Sequence, residues 1–233
     1  MVGSMATTKE EPAGHAAEAS LLATLHVGLA PGAGLHAATA PAPRRAAAAP
    51  PPAGVTLDQL LGVMTACPRD RGRRHLDLMN RAMAEFHIDN RLRRCAFLAQ
   101  IGEESGELRY MEEIASGEEY DITVDPRKAR GLGNLKPGDG RRYKGRGPIQ
   151  LTGRSNYRAT GKALGLDLEN HPELAAQPAI AWRTSCYFWE SNGLNQLADE
   201  GKFRALTYVI NKAYRHYDVR LAYYERALHV IQH

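Results

Sequence analysis

The sequence predicts a mainly α-helical domain with a minor β element set beside an acidic site. Three observations carry this expectation. From about residue 55 onward, apolar residues recur at spacings of three and four, in stretches that open on capping residues. One such stretch, residues 91–104, is apolar almost all round, as a buried central helix would be. Between residues 117 and 157 the helical period gives way to glycine, proline and charge, with two short apolar runs that read as a hairpin or irregular ribbon.

The chain divides by composition. Residues 1–54 are dominated by Ala, Pro and Gly and end in APAPRRAAAAPPPAG. Such a stretch buries no core, so a disordered tail and semi-rigid linker is expected there, with the folded domain in 55–233. It does not read as a secretory leader, because Glu10 and Glu11 follow Lys9 and the apolar run 21–29 is broken by His26 and Gly28. No window approaches eighteen uninterrupted apolar residues, so no membrane span is expected.

At 233 residues, 43% hydrophobic and 24% charged, the chain has an ordinary globular composition. Its net charge of +4 is a mild attraction to acidic polymers. The three cysteines, Cys67, Cys95 and Cys186, are odd in number and far apart. That argues against a disulfide framework or a zinc site, and Cys95 and Cys186 read as small core residues.

In order along the domain, Thr56-Leu57-Asp58-Gln59 is a capping box, followed by Leu60, Leu61 and Met64 on one helical face. Leu76, Met79, Met83 and Phe86 mark a second amphipathic helix, and Asp89 or Asn90 caps a third over residues 91–104. Residues 127–130 add a helical turn. Tyr143-Lys144 and Ile149–Leu151 are the expected strands. Thr152 is the expected cap of a helix carrying Tyr157 and Leu164. Three more helices follow, over 179–189, 203–211 and from Tyr217 to Ile231.

The chemistry concentrates in AFLAQIGEESGELRYMEEIASG, residues 96–117. Glutamates cluster there at 103, 104 and 107, then at 112 and 113. Glu104 lies a turn beyond Phe97, Gln100 and Ile101, so its carboxyl should have apolar neighbours that raise its proton affinity. Glu113 is nine residues on. In one continuous helix it would face the opposite way about 13.5 Å further along, so a working pair requires the helix to stop near Ser105-Gly106 and the chain to turn back. Glu103, Glu107 and Glu112 read as a solvated surface paired with Arg91, Arg94 and Arg109.

Other chemistries find little support. The glycines of 138–147 match neither the dinucleotide fingerprint nor the P-loop. The nine histidines are scattered without ligand spacing, so no metal is expected. No GxSxG nucleophile elbow is present. The basic run from Arg127 to Arg158 directly follows acidic clusters that would repel a phosphate backbone, so it reads as compensation around an acidic cleft and not as a nucleic-acid surface.

The segments AFLAQIGEESGELRYMEEIASGEEY, PGDGRRYKGRGPIQLTGRSNY and YVIN together resemble glycoside hydrolase family 19, the plant-type and bacterial chitinases and related phage endolysins. The resemblance spans about residues 55–233, and YKGRGPIQLTGRSNY is its most specific part. It implies a lysozyme-like helical fold with a small β hairpin beside a cleft. It also implies cofactor-free hydrolysis, with inversion, of β-1,4 bonds between N-acetylated hexosamines. The expected protein is a monomer acting on wall or extracellular polysaccharide, either chitin or peptidoglycan, the alternative being a carbohydrate-binding relative without turnover.

By the same resemblance Glu104 is the general acid and Glu113 the general base, with Glu118 or Glu119 as the fallback that the plant spacing suggests. Thr152 holds the attacking water. Gln150, Asn156, Asn211 and Tyr143 belong to the substrate-binding set, and Arg220 supports the acidic pair. Two departures stand out. The family usually has His directly before the acid, where this chain has Glu103, and glycines after the late Ile-Asn, where it has residues 212–217, KAYRHY.

Overall fold

The computed structural model describes residues 54–232. The tail expected over residues 1–54 lies outside the described residues except at Gly54, as does His233. Among the described residues there are ten α-helices: α1 (Leu57–Val63), α2 (Arg69–Glu85), α3 (Arg91–Glu104), α4 (Pro126–Gly131), α5 (Asp139–Arg142), α6 (Arg154–Leu164), α7 (Pro178–Ser191), α8 (Leu194–Asp199), α9 (Phe203–Ile210) and α10 (Tyr217–Val230).

Local signals set several of these boundaries. Thr56 and Gln59 form the reciprocal capping box at α1. Asn90 caps α3 by accepting from the Arg93 N–H at 2.9 Å. Asp125 caps α4, with Pro126 in its first turn.

The core is built around α3. Every residue of α3 from Arg94 to Gly102 is buried, and so is Glu104. Phe97 takes the edge of Trp189 at 5.2 Å between ring centres and lies 6.5 Å from Trp182. α10 packs along α3 and α1, while α2 packs on α7. Cys67, Cys95 and Cys186 are buried free thiols, and burial holds the Cys95 thiol up at about 11. A second, smaller core gathers Tyr143, Tyr157, Leu168 and Ala175.

The expected hairpin does not form. Glu112 and Leu151 each make a single antiparallel bridge to Arg146. Arg146 and Leu151 exchange both backbone hydrogen bonds, at 3.1 and 2.8 Å, and the ladder stops there. The reason is the tight turn between them: Gly147 (φ +81) and Gln150 (φ +53) are left-handed, and the Gln150 N–H bonds the Gly147 carbonyl at 3.0 Å. The four residues of that turn are flanked by Arg146 and Leu151, which make a single pair. Lys144 and Tyr143 are not in the ladder, because Tyr143 ends α5. Thr152 is likewise not the cap of α6. Gly153 (φ +91) holds that position, and the Thr152 hydroxyl donates to the Gln150 carbonyl at 2.9 Å.

Candidate active site

The end of α3 supplies the first half of the site. α3 stops at Ser105, whose hydroxyl donates back to the Ile101 carbonyl at 2.6 Å and accepts the Leu108 N–H at 2.8 Å. Gly106, Glu107 and Leu108 are then all left-handed, at φ +54, +56 and +64. Three such residues in succession end the helical path after α3. Two of the three are not glycine, so side-chain contacts must hold them there. Leu108 is buried, and the Glu107 carboxylate accepts the Tyr223 hydroxyl at 2.7 Å.

Glu104 is 3% exposed. The Arg220 Nη2 approaches its Oε1 to 2.5 Å, at an angle that makes an ion pair without a hydrogen bond. Arg220 is itself buried and is held from two other directions. Its Nη1 donates to Gln100 Oε1 at 2.7 Å and its Nε to the Arg215 carbonyl at 3.1 Å. Gln100 in turn donates to the Thr207 hydroxyl at 2.7 Å. The chain Thr207–Gln100–Arg220–Glu104 thus ties α9, α10 and α3 together. Burial pushes the Glu104 proton affinity above the usual carboxyl range. Arg220 opposes that push without overcoming it, Glu103 adds to it, and His216 subtracts.

Glu113 belongs to the other half. Beyond the end of α3 its N–H bonds the Gly145 carbonyl at 2.9 Å. Its carboxylate accepts the Gly145 N–H at 2.8 Å on one oxygen and the Tyr120 hydroxyl at 3.0 Å on the other. The carboxyl is 9% exposed, and burial raises its proton affinity against the opposing pull of those two donors. Gln150 meets it at Gly145, where a Cβ would stand 2.4 Å from Gln150 Oε1 and 3.2 Å from Glu113 Oε2.

Both fallback carboxylates are ion-paired, and Glu119 lies near enough to Glu113 to raise its proton affinity. Glu118 is paired with Arg141, which holds its carboxyl below the usual range. Glu119 is paired with Lys128.

The remaining expected residues fall into distinct places. Thr152 and Asn156 are buried together, the Asn156 amide donating to the Thr152 carbonyl at 2.8 Å. Both line an open pocket with Ile149, Leu151, Tyr187 and Phe188, and neither Glu104 nor Glu113 lines it. Asn211 ends α9, its Oδ1 accepting the Ala213 and Arg215 N–H groups at 3.1 and 3.3 Å. Tyr143 is 1% exposed and spends its hydroxyl on the Glu169 carbonyl, so it is placed in the second core.

The expected solvated acidic surface does not exist as drawn. Glu107 is buried on Tyr223, Glu112 pairs with Lys144 and Arg146, and Glu103 pairs with His216. Arg91 is spent on the carbonyls of Leu228 and Ile231. Gln100 and Tyr120 were missed as site residues. Gln100 had a signal, being the one uncharged polar side chain inside the apolar helix.

Two buried carboxyls with raised proton affinity, one against a guanidinium and one held by two hydrogen-bond donors, suit general acid–base chemistry. No helix among the described residues is long and apolar enough to cross a membrane.

Known proteins with the same features narrow this further. A family model described as chitinase class I, glycoside hydrolase family 19, matches residues 115–198. That stretch holds Tyr143, Gln150, Thr152 and Asn156, and it stops short of Glu104 and Glu113 on one side and of Asn211 and Arg220 on the other.

An endochitinase of Arabidopsis thaliana is 40% identical over 117 residues, which is 50% of this chain and 38% of that protein. Chitinase 8 of rice, Oryza sativa, is 56% identical over 48 residues, 20% of this chain and 18% of its own length. The chain therefore matches well under half the length of these relatives. Among solved structures, a bacterial family 19 chitinase is 26% identical at a TM-score of 0.60, covering 76% of this chain and 95% of its own. Chitinase C of Streptomyces griseus is 25% identical at a TM-score of 0.59, covering 76% of each chain. Over residues 115–198 in sequence, and over 76% of the chain in fold, the protein is similar to the chitinases of glycoside hydrolase family 19.

Proposed function

We propose that this chain is an endo-acting glycosidase that hydrolyses β-1,4 bonds of N-acetylglucosamine polymers, with Glu104 as general acid and Glu113 as general base. The observation that carries this reading is the contrast between the two carboxyls. Glu104 is buried at a helix end against a single guanidinium, and Glu113 is held by two neutral donors. In the proposed step the Glu104 carboxyl gives its proton to the glycosidic oxygen as the C–O bond breaks. A water attacks the anomeric carbon from the opposite face and gives its proton to the Glu113 carboxylate, so configuration inverts. Thr152 accepts or donates at that water, while Gln150, Asn156 and Asn211 contact acetamido and hydroxyl groups. Arg220 stabilises the Glu104 carboxylate left after transfer. The residues named need no cofactor for these steps.

Chitin is the preferred polymer, because the relatives named above are chitinases. Such a polymer lies outside cells or in their walls. The test is to incubate the protein with N-acetylglucosamine hexamer and with purified peptidoglycan, and to identify new reducing ends by mass. New reducing ends from the hexamer are expected, appearing first as the α anomer in proton NMR before mutarotation. Glu104→Gln should fold and lose at least about a thousandfold in kcat. Hexamer binding by the wild type without any new reducing end would remove the reading, and cleavage of peptidoglycan alone would move the substrate.

A further inference from the structure

The two places where the sequence departs from the family pattern meet in space. Glu103 replaces the usual histidine before the acid, and residues 212–217 replace the usual glycines. In the fold the His216 Nδ1 lies 2.6 Å from Glu103 Oε1. His216 precedes α10 and Arg220 sits one turn into it, while Glu103 and Glu104 are adjacent at the end of α3. The start of α10 therefore places two cationic or donor groups on two neighbouring carboxylates, His216 on Glu103 and Arg220 on Glu104.

The loop between Asn211 and His216 is conformationally demanding. Tyr214 and His216 are both left-handed, at φ +51 and +52, a region disfavoured for side-chain-bearing residues. Something outside the loop's own backbone must hold it. From one side, Tyr214 lies under the Arg204 guanidinium at 4.6 Å. From the other, Glu103 takes the His216 imidazole. Within the loop, Asn211 accepts the N–H groups of Ala213 and Arg215, so the orientation of the Asn211 side chain depends on the loop keeping its shape. Arg220 is less dependent on it, because Gln100 and Glu104 hold it on α3 directly.

We propose that Glu103 and His216 are a positioning pair that pins residues 211–216 to the end of α3 and so presents Asn211 to the sugar chain. This rests on the reading of the site given above, with Asn211 as a substrate contact. The pair acts on binding more than on proton transfer, since Arg220 keeps its other anchors when the loop loosens. The histidine usual before the acid is thus supplied from the facing loop, with a carboxylate taking the helix position.

The test is a double-mutant cycle on Glu103→Ala and His216→Ala, with Glu103→Gln as the conservative variant. It is read by amide exchange at Ala213, Tyr214 and Arg215 and by kinetics on N-acetylglucosamine hexamer. Each alanine variant should speed exchange at those amides and raise KM about tenfold, with kcat within about threefold. The double variant should be no worse than either single, because both remove one contact. Glu103→Gln keeps an oxygen for the imidazole and should recover most of both losses. Unchanged exchange and KM, effects that multiply in the double variant, or a fall in kcat at constant KM would each overturn the pair. A wild type with no turnover and no hexamer binding would instead overturn the site itself, and the proposal with it.

Discussion

At Glu113 two donors of different kinds fix one carboxylate: the Gly145 N–H, which cannot be mutated away, and the Tyr120 hydroxyl, which can. Tyr120→Phe removes a hydrogen bond that favours the charged form, so the Glu113 proton affinity rises. A base must be ionised to work, so the acid limb of the kcat/KM profile should move to higher pH while the alkaline limb, set by Glu104, stays. Glu113→Gln should cost about a hundredfold or more in kcat. Glu118→Gln should cost less than about threefold, because Glu118 is exposed on Arg141. Equal losses from the two would put the base elsewhere. The burial of Glu104 was legible in the sequence because it ends a helix that is apolar almost all round. Glu107 and Tyr143 were not. Their burial depends on Tyr223 and on the Glu169 carbonyl, partners 116 and 26 residues away.

Helix starts and stops were read well at Thr56, Asn90 and Gly106, but not at Gly153, which caps α6 in place of Thr152. The ribbon was misread because alternating apolar residues alone do not reveal that Gln150 takes a left-handed conformation, which shortens the ladder to single bridges. Two glycines in that ribbon separate site from scaffold. At Gly145 an added Cβ would press on the ends of the Gln150 and Glu113 side chains, which can move. Gly145→Ala should keep the fold and lose about tenfold or more in kcat/KM, since a small displacement of a reacting group is costly. At Gly153 an added Cβ would stand 2.7 Å from Leu132 Cβ and 2.8 Å from its carbonyl, with φ at +91. Gly153→Ala should instead destabilise by more than about 1 kcal/mol. Denaturant melts and hexamer kinetics on both variants would show the contrast, and Gly145→Ala with normal kinetics would contradict it.

Over the whole molecule, the catalytic reading has a cost in stability. Glu104 and Glu113 both have folded-state proton affinities above the unfolded value, so the native state holds protons that the unfolded chain has released. Stability therefore falls as pH rises from the ordinary carboxyl range through the raised folded values. Glu113→Gln removes this at Glu113 while leaving an oxygen for a donor. It should melt at the same temperature as wild type near pH 4 and a few degrees higher near pH 7. A variant that melts lower at both pH values would show that the carboxylate is stabilising. The mainly helical architecture was legible from periodicity, since each helix carries its own pattern. The tie from Thr207 through Gln100 and Arg220 to Glu104 was not, because it joins α3 to two elements more than a hundred residues further along the chain.

The packing of α3 also gives the protein a built-in reporter. The chain has two tryptophans, and both rest on Phe97 in the middle of the helix that ends in Glu104. Intrinsic emission is therefore a readout of how that one helix is seated. A shift in wavelength or intensity during titration, heating or ligand addition registers there first, without a label and without a substrate.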